Sequence, residues 1–223
     1  MSEGILLVDK PKGLTSFSLV RTLRKRLNVQ KIGHAGTLDP LATGLMVMLV
    51  GKKYTRLSDL FLNDTKEYEA EITLGYATAS FDAEGAVTDR SDLIPELSDV
   101  EKALETFQGK TLQTPPMYSA KKVDGKKLCD LARKGEVVER KPVEVDMCIT
   151  LLNYEYPKLK VHVRCSKGTY IRSLAHDMGV KLKSFGTLTD LRRTQSGEFS
   201  IADSVDGSKL MEEDLSSAFI KHP

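Results

Sequence analysis

The feature that most restricts the possible folds is an uninterrupted apolar run, Leu45 to Val50, which lies between Gly44 and Gly51. The run is far too short to cross a bilayer, which takes about 20 residues in a helix. A short apolar run bounded by glycines is typical of a buried β-strand. Other elements must cover such a strand, which indicates a globular protein with a hydrophobic core.

Periodic patterns elsewhere predict both strands and helices. Apolar and polar residues alternate over Lys66–Leu74 and Leu159–Cys165, the pattern of strands with one buried face. Helices are predicted over Thr169–Leu182, after a capping box that begins at Ser98, and over residues 208–220. We therefore expect an α+β fold in which a large mixed, mostly antiparallel sheet is flanked by helices.

The chain shows no internal repeat and no linker rich in Pro, Gly or Ser, so residues 1–223 are expected to form a single domain. One segment, residues 114–141, is the best candidate for a mobile insertion. It begins next to two prolines, is rich in Lys and Arg, and lacks a strong apolar face.

Charge is distributed unevenly along the chain, although the net charge is only +2. Residues 1–60 carry +6, residues 61–107 carry −9, residues 108–198 carry +8 and residues 199–223 carry −3. If the two basic blocks share a face, that face attracts a polyanion such as a nucleic acid. Solvated surface charge without a partner is an equally good interpretation of the pattern alone.

The cysteines and the N-terminus bear on the cellular compartment. Cys129, Cys148 and Cys165 form no CxxC pair, so neither a zinc ribbon nor a redox motif is supported. The first residues lack the basic start and apolar core of a signal peptide. We expect a cytoplasmic protein that does not insert into membranes.

Candidate chemistry is concentrated in Gly33–Gly44, a loop that precedes the apolar run and contains His34 and Asp39. A carboxylate held there suits a nucleophile or a general base, whereas the simpler alternative is a turn aspartate that caps its own backbone. The two residues are too few for a metal site, and neither GxGxxG nor GxxxxGK[ST] is present. No metal is therefore expected, and the sequence argues against an enzyme that uses a nucleoside triphosphate or a dinucleotide.

Three further features are ambiguous by themselves. Tyr170 and Arg172 follow a predicted strand, where Arg suits a carboxylate and Tyr a stacked base, but a helix start with a core aromatic is the simpler interpretation. Tyr68 is equally well a core aromatic. The Leu191-Arg192-Arg193 stretch is equally well a basic surface patch.

Taken together, these stretches resemble the bacterial tRNA pseudouridine-55 synthases, the TruB family. The similar segments run in the family's order along nearly the whole chain: GILLVDKPKG from Gly4, GHAGTLDPLATG from Gly33, KEY from Lys66, PMYSAKK from Pro116, GKKL from Gly125, CSKGTYIR from Cys165, and LRR from Leu191. The resemblance implies the pseudouridine synthase fold and a cofactor-free isomerisation of uridine at position 55 in the tRNA T loop.

The resemblance also implies the site residues. They are Asp39 as the catalytic nucleophile, Arg172 as its charge partner, Tyr68 stacked beside the target base and assisting loss of the C5 proton, Tyr170 and Leu191 lining the uracil pocket, and His34 near the flipped-out nucleotides. Whether Asp39 attacks C1′ or C6 stays open. Because a stacked uridine is inaccessible, the base must be flipped out of the loop.

RNA binding is implied as well. Residues 114–141 match a basic, thumb-like insertion that clamps the T-arm stem-loop, with Lys121, Lys122, Lys126 and Lys127 on the RNA backbone. The chain ends soon after the expected catalytic domain, so a C-terminal PUA-type domain is expected to be missing. We expect a monomer with tRNA as its partner and no obligatory protein partner. The alternatives are a related synthase for another RNA, a non-catalytic tRNA-binding or tRNA-folding protein, and a base-excising glycosidase.

Overall fold

A computed structural model describes residues 3–119, 121–123, 125–212 and 214–221. The chain divides into two compact units. The first comprises the residues up to Glu69 together with those from Leu191 onward, and the second comprises Ala70–Asp190. The helices and strands, in chain order, are β1 Gly4–Lys10, α1 Ser16–Leu27, β2 Ile32–His34, β3 Thr43–Val50, α2 Lys52–Thr55, α3 Ser58–Leu62, β4 Lys66–Leu74, β5 Tyr76–Thr78, β6 Val87–Arg90, α4 Leu97–Glu105, β7 Gly109–Gln113, β8 Lys122–Val123, β9 Lys126–Lys127, α5 Leu128–Ala132, β10 Val143–Glu155, β11 Lys158–Cys165, α6 Ile171–Lys181, β12 Gly186–Ser196, β13 Phe199–Ser200, β14 Val205–Asp206 and β15 Phe219–Ile220.

The first unit is built around β3, and the prediction of a buried strand there is confirmed. Every residue from Leu45 to Val50 is 0% exposed. The strand order is β14-β1-β3-β12, with β1 antiparallel and β12 parallel to β3. Phe61 and Phe199 close the core of this unit with ring centroids 5.5 Å apart. Helix α1 begins after Thr15, whose side chain caps it by accepting from the Ser18 N–H at 3.1 Å.

The second unit contains the antiparallel strands β11, β10 and β7, with β4 next to β11. Strand β4 has the predicted bounds, and its buried residues alternate as expected, since Ala70, Ile72 and Leu74 are at most 4% exposed. Helix α6 buries Ile171, Leu174 and other residues of one face. The α+β class with a mixed, mostly antiparallel sheet is confirmed. No helix within the described part of the chain is long and apolar enough to cross a membrane.

Two of the predicted helices need correction. Helix α4 begins at Leu97 with Glu96 as its N-cap residue, so Ser98 lies inside the first turn and caps nothing. The predicted helix over 208–220 is wrong, because the described residues of this segment form turns and then β15, which pairs with β1. The carboxylate of Asp206 accepts from the Ser208 N–H at 2.8 Å, a local bond that favours a turn over a helix.

Candidate active site

Asp39 lies half-buried in the Asp39 loop, which we define as residues 35–42 between β2 and β3. Ser16, the first residue of α1, holds this loop. Its Oγ donates to the Leu38 carbonyl and accepts from the Leu38 N–H, both at 2.9 Å. The Ala42 N–H donates to the Asp39 carbonyl at 3.1 Å and closes a turn. The backbone is held on both sides of Asp39, which restricts where its carboxylate can point.

A buried lysine at the end of β1 holds the same loop from a second element. Lys10 is 0% exposed, and its Nζ donates to the carbonyls of Leu14 at 2.7 Å and Pro40 at 3.4 Å. The Gly13 N–H donates to the Pro40 carbonyl at 2.8 Å. A buried ammonium group is tolerated when carbonyl oxygens satisfy its protons. This arrangement also places a positive charge beside the residue that follows Asp39.

Strand β12 holds the loop from a third element through Arg193. This residue is 1% exposed, and it donates from Nε to the Leu45 carbonyl at 2.7 Å and from Nη2 to the Gly36 carbonyl at 3.3 Å. At Gly44, where φ is +101°, a Cβ atom would lie 2.3 Å from the Arg193 carbonyl oxygen. Glycine is required there. The surface-patch interpretation is therefore wrong for Arg193, which is an interior residue.

His34, at the end of β2, is half-buried. Burial lowers the pKa of its imidazole, the nearby Arg193 cation lowers it further, and a backbone hydrogen bond with Gly36 partly opposes both. Within the described residues, its buried Nδ1 has no hydrogen-bond partner. A ring that is neutral at neutral pH is suited to an uncharged base or ribose rather than to a phosphate.

Tyr68 on β4 and Leu191 on β12 both belong to the first unit. Leu191 is 7% exposed, and its carbonyl accepts from Thr43 Oγ1 at 3.3 Å. Tyr68 is half-buried. Thr194 Oγ1 donates to the Glu67 carbonyl at 3.3 Å, which ties the two strands together next to Tyr68. Four of the predicted site residues therefore belong to the first unit.

In the second unit, the Arg172 side chain forms a buried ion pair with Asp82. Nη1 lies 3.3 Å from Asp82 Oδ2, and the two side chains are 6% and 4% exposed. Nη1 also donates to the Ser80 carbonyl at 3.1 Å, and Nη2 to the Tyr118 carbonyl at 2.7 Å. The other Asp82 oxygen accepts from Ser80 Oγ at 2.6 Å and from the Glu84 N–H at 3.1 Å. The guanidinium is thus held in one orientation by acceptors on two loops.

Tyr170, the N-cap residue of α6, is held through its backbone by Gln113. The Gln113 amide accepts from the Tyr170 N–H at 2.7 Å and donates to the Tyr170 carbonyl at 3.1 Å. Gln113 is 3% exposed and ends β7. Ser173 Oγ donates to the carbonyl of Thr114 at 3.0 Å, so the end of β7 is fastened to the first turn of α6.

The insertion predicted over residues 114–141 starts from this point. Its two ends meet, because Arg140 Nη1 donates to the Pro115 carbonyl at 3.1 Å. Between them lies the β8–β9 hairpin, followed by α5. The four candidate lysines of this hairpin are all exposed: Lys121, Lys122, Lys126 and Lys127. Ala120 and Asp124, which the predicted insertion also contains, lie outside the described residues.

Sequence analysis missed several residues that hold the candidate side chains in each unit. Asp82 and Gln113 carried no recognisable motif, and nothing in the sequence marked Lys10 as a buried residue. The stretch Thr78 to Gly85 is rich in Thr, Ser, Asp and Gly, which indicates an ordered turn. That composition could have marked Asp82 as a capping residue, but not as the partner of Arg172.

The described side chains offer a rigidly held carboxylate, a buried arginine, aromatic rings and exposed lysines. Within residues 3–119, 121–123, 125–212 and 214–221, no group of three or more His, Cys, Asp or Glu side chains could hold a metal ion. Aromatic rings suit a stacked base, and exposed lysines suit a polyanion.

The fold identifies the class of protein. Similarity covers 94% of this chain and 54% of the matched chain in a solved structure of a Cbf5-Nop10-Gar1 complex, with a TM-score of 0.73 and 28% identity. A second structure, of an H/ACA RNP bound to a substrate RNA containing 2'-deoxyuridine, gives a TM-score of 0.70 at 26% identity over 94% of this chain and 52% of that chain. The chain thus spans about half the length of each. Its fold is that of the pseudouridine synthases.

The sequence identifies the family. Residues 24–171 match the N-terminal domain of the TruB family pseudouridylate synthases, and residues 172–218 match the C-terminal domain of tRNA pseudouridylate synthase B. The chain is 58% identical to tRNA pseudouridine synthase B of Protochlamydia amoebophila over 93% of this chain and 79% of the relative. It is 56% identical to the protein of that name from Chlamydia pneumoniae, over 94% and 89%. The chain belongs to the TruB family and is a pseudouridine synthase, which is an isomerase.

Proposed function

We propose that the protein converts uridine to pseudouridine at position 55 in the T loop of tRNA, with Asp39 as the nucleophile. The observation that carries the proposal is the Asp39 loop, which Ser16, Lys10 and Arg193 hold from three different elements. The 58% identity to a protein named tRNA pseudouridine synthase B supports tRNA as the substrate.

The reaction needs no cofactor because it rearranges one nucleotide. The N1–C1′ bond breaks, the uracil turns, and a C5–C1′ bond forms. The C5 proton leaves and N1 gains a proton, so the composition of the nucleotide is unchanged. The Asp39 carboxylate would bond transiently to C1′ or to C6. Flipping the base out costs a few kcal/mol, and stacking on Tyr68 returns about 1–3 kcal/mol.

Arg172 is proposed to pair with Asp39 as well as with Asp82. A nearby positive charge favours the ionised form of a carboxylate, which is the form that attacks. The contacts of Arg172 with Asp82 and with two backbone carbonyls fix its orientation before substrate binds. His34, Tyr170 and Leu191 would surround the flipped-out nucleotide.

If Arg172 pairs with Asp39, a substitution at Arg172 should change the rate of turnover but not the affinity for tRNA. We expect Arg172→Lys, which keeps the charge but loses the planar fork, to lower the single-turnover rate on tRNA at least tenfold. The dissociation constant for tRNA should change little, because the Arg172 side chain is 6% exposed and offers little surface to the RNA. A variant that loses binding but keeps its turnover rate would contradict the role.

The β8–β9 hairpin is proposed to bind the RNA backbone. Lys122 and Lys127 face each other in the strand register, an arrangement of like charges that is unfavourable until an anion neutralises it. The segment that leads to the hairpin is also tied to Arg172 through the Tyr118 carbonyl.

The salt dependence of tRNA binding tests whether the β8–β9 hairpin contacts the RNA backbone. Neutralising Lys122 and Lys127 together should reduce the slope of log K against log salt by about 0.7–0.9 for each lysine that contacts a phosphate. The control is Lys110→Ala, because Lys110 is 72% exposed and lies 3.5 Å from Glu144 outside the insertion. Equal slopes in the two variants would exclude the hairpin from the RNA interface.

The substrate is tested by mapping modified uridines in unmodified bulk tRNA and in a bare T-arm hairpin after incubation with the protein. We expect modification at position 55 in both RNAs. Modification of another RNA but neither of these would favour the related-synthase alternative. Release of free uracil would indicate a glycosidase, and tRNA binding without modification would indicate a non-catalytic protein.

A further inference from the structure

The loop that carries Asp82 contains a backbone conformation that its sequence disfavours. This loop, residues 79–86 between β5 and β6, will be called the Asp82 loop. Phe81 has φ = +67°, in the left-handed region that side chains other than glycine rarely adopt. Phe81 is also the residue directly before Asp82, so a relaxation of its backbone would move the Asp82 carboxylate.

A ring on α6 holds Phe81 in this conformation. The His176 imidazole stacks on the Phe81 ring with centroids 3.9 Å apart and planes inclined by 13°. His176 lies four residues after Arg172, so both side chains leave the same face of α6. The helix therefore holds the Asp82 loop at two points one turn apart, through an ion pair at Arg172 and through a ring stack at His176.

The contact of His176 with the loop is made through the ring face. The buried Nδ1 of His176 has no hydrogen-bond partner among the residues that the structure describes. Burial lowers the pKa of this imidazole, and the Asp89 charge partly opposes that effect. A neutral ring with a flat face is what the stack requires, so another aromatic side chain of similar width should serve.

The other side of the Asp82 loop is pinned by backbone. The Ala83 N–H donates to the Leu188 carbonyl and the Leu188 N–H to the Phe81 carbonyl, both at 3.0 Å. The Phe81 N–H also donates to the Thr78 carbonyl at 3.1 Å, so the backbone is hydrogen-bonded on both sides of Phe81 and holds it together with the ring stack. The ring stack acts on the side-chain direction, which depends on the φ of Phe81.

We propose that Phe81 and His176 are positioning residues: their stack keeps Asp82 aligned on Arg172, and thereby sets the rate of the reaction without contributing to RNA affinity. The proposal rests on the proposed function, in which Arg172 acts on Asp39. It adds a pair of residues that touch neither the RNA nor the reacting atoms.

Kinetics on tRNA test the proposal. His176→Ala should lower kcat by roughly three- to tenfold with KM nearly unchanged, the factor that corresponds to loss of one aromatic pair. His176→Phe keeps a flat ring and should restore kcat to within about twofold of the wild type. Phe81→Ala should resemble His176→Ala, and the double alanine variant should be no slower than the slower single variant.

A matched control separates positioning from general loss of stability. Phe199→Leu disrupts the ring contact with Phe61 in the core of the first unit and should leave kcat at the wild-type value when assayed below its unfolding temperature. A fall in kcat in Phe199→Leu equal to that in His176→Ala would overturn the proposal. So would equal kcat in wild type, His176→Ala and His176→Phe, or a change confined to KM.

A spectroscopic measurement makes failure of this proposal distinguishable from failure of the proposed function. In ¹⁵N NMR spectra, the guanidinium N–H signals of Arg172, assigned with Arg172→Lys, should be protected from exchange in wild type and His176→Phe and lose protection in His176→Ala. If the wild type does not modify position 55 of tRNA but shows this pattern, the proposed function is wrong, whereas the alignment of Arg172 by the ring stack is supported. Equal protection in all three proteins would overturn the positioning role, whatever the activity.

Discussion

The buried ion pair of Arg172 and Asp82 gives a prediction whose size follows from the structure. Asp82→Ala removes a carboxylate that is 4% exposed and leaves the guanidinium, 6% exposed, without it. Loss of one partner from a buried pair costs about 3–5 kcal/mol. The carbonyls of Ser80 and Tyr118 still accept from Arg172. We therefore expect a loss of about 3 kcal/mol in the free energy of unfolding, the lower end of that range.

Urea unfolding followed by far-ultraviolet circular dichroism measures this loss, since the chain has no tryptophan to report by fluorescence. Lys158→Ala is the matched control in the same unit. Lys158 is 60% exposed and lies 3.2 Å from Glu71, so its loss should cost less than about 1 kcal/mol. If Asp82→Ala costs no more than Lys158→Ala, the pair is not buried in solution and the argument fails.

Other predictions concern a glycine and a carboxyl group. Gly44→Ala combines a φ of +101° with a Cβ only 2.3 Å from the Arg193 carbonyl oxygen, and should lower the free energy of unfolding by more than about 3 kcal/mol. Gly125→Ala, with a φ of +79° and open space, should cost only about 1–2 kcal/mol in the same urea titration, and similar losses in both would refute the steric argument. Burial raises the pKa of Asp177 to about 6, so the folded state binds this proton more tightly than the unfolded chain, and stability should fall as the pH rises from about 4 to about 6. Asp177→Asn should remove that fall and stabilise the protein at neutral pH by about 1–2 kcal/mol, a value reduced for partial solvent exposure. Thermal unfolding measured against pH checks this, and a profile unchanged by the substitution would contradict the raised pKa.

The parts of the fold that follow from local periodicity were predictable. The continuous apolar run became β3, and the alternation of Lys66–Leu74 gave both the bounds and the buried residues of β4. Each of these patterns depends on neighbours within one element, which is why the sequence alone indicates them.

Features that depend on distant contacts were not predictable. The sequence has no local signal that Lys10 or Arg193 is interior, because long charged side chains are usually exposed and these two are satisfied by carbonyls from other segments. The segment after Asp206 had helical spacing, but side-chain caps and pairing of β15 with β1 decided its structure. The role of Asp82 follows only from the tertiary structure, in which Arg172 on α6 forms an ion pair with it.

The resemblance to the TruB family supplied the site residues that spacing left ambiguous. In the structure, hydrogen bonds hold the Asp39 loop in the first unit, and other hydrogen bonds hold Arg172 and Tyr170 in the second. The proposed pairing of Asp39 with Arg172 remains the step on which the mechanism depends.

The central claim is that Asp39 attacks uridine, and release of tritium from tRNA labelled at C5 of uridine tests it most directly. Asp39→Asn should bind tRNA as the wild type does and release no tritium above background in a single turnover. Asp59→Asn, which changes an exposed aspartate on α3, should release tritium at the wild-type rate. Tritium release by Asp39→Asn at the wild-type rate would contradict the account.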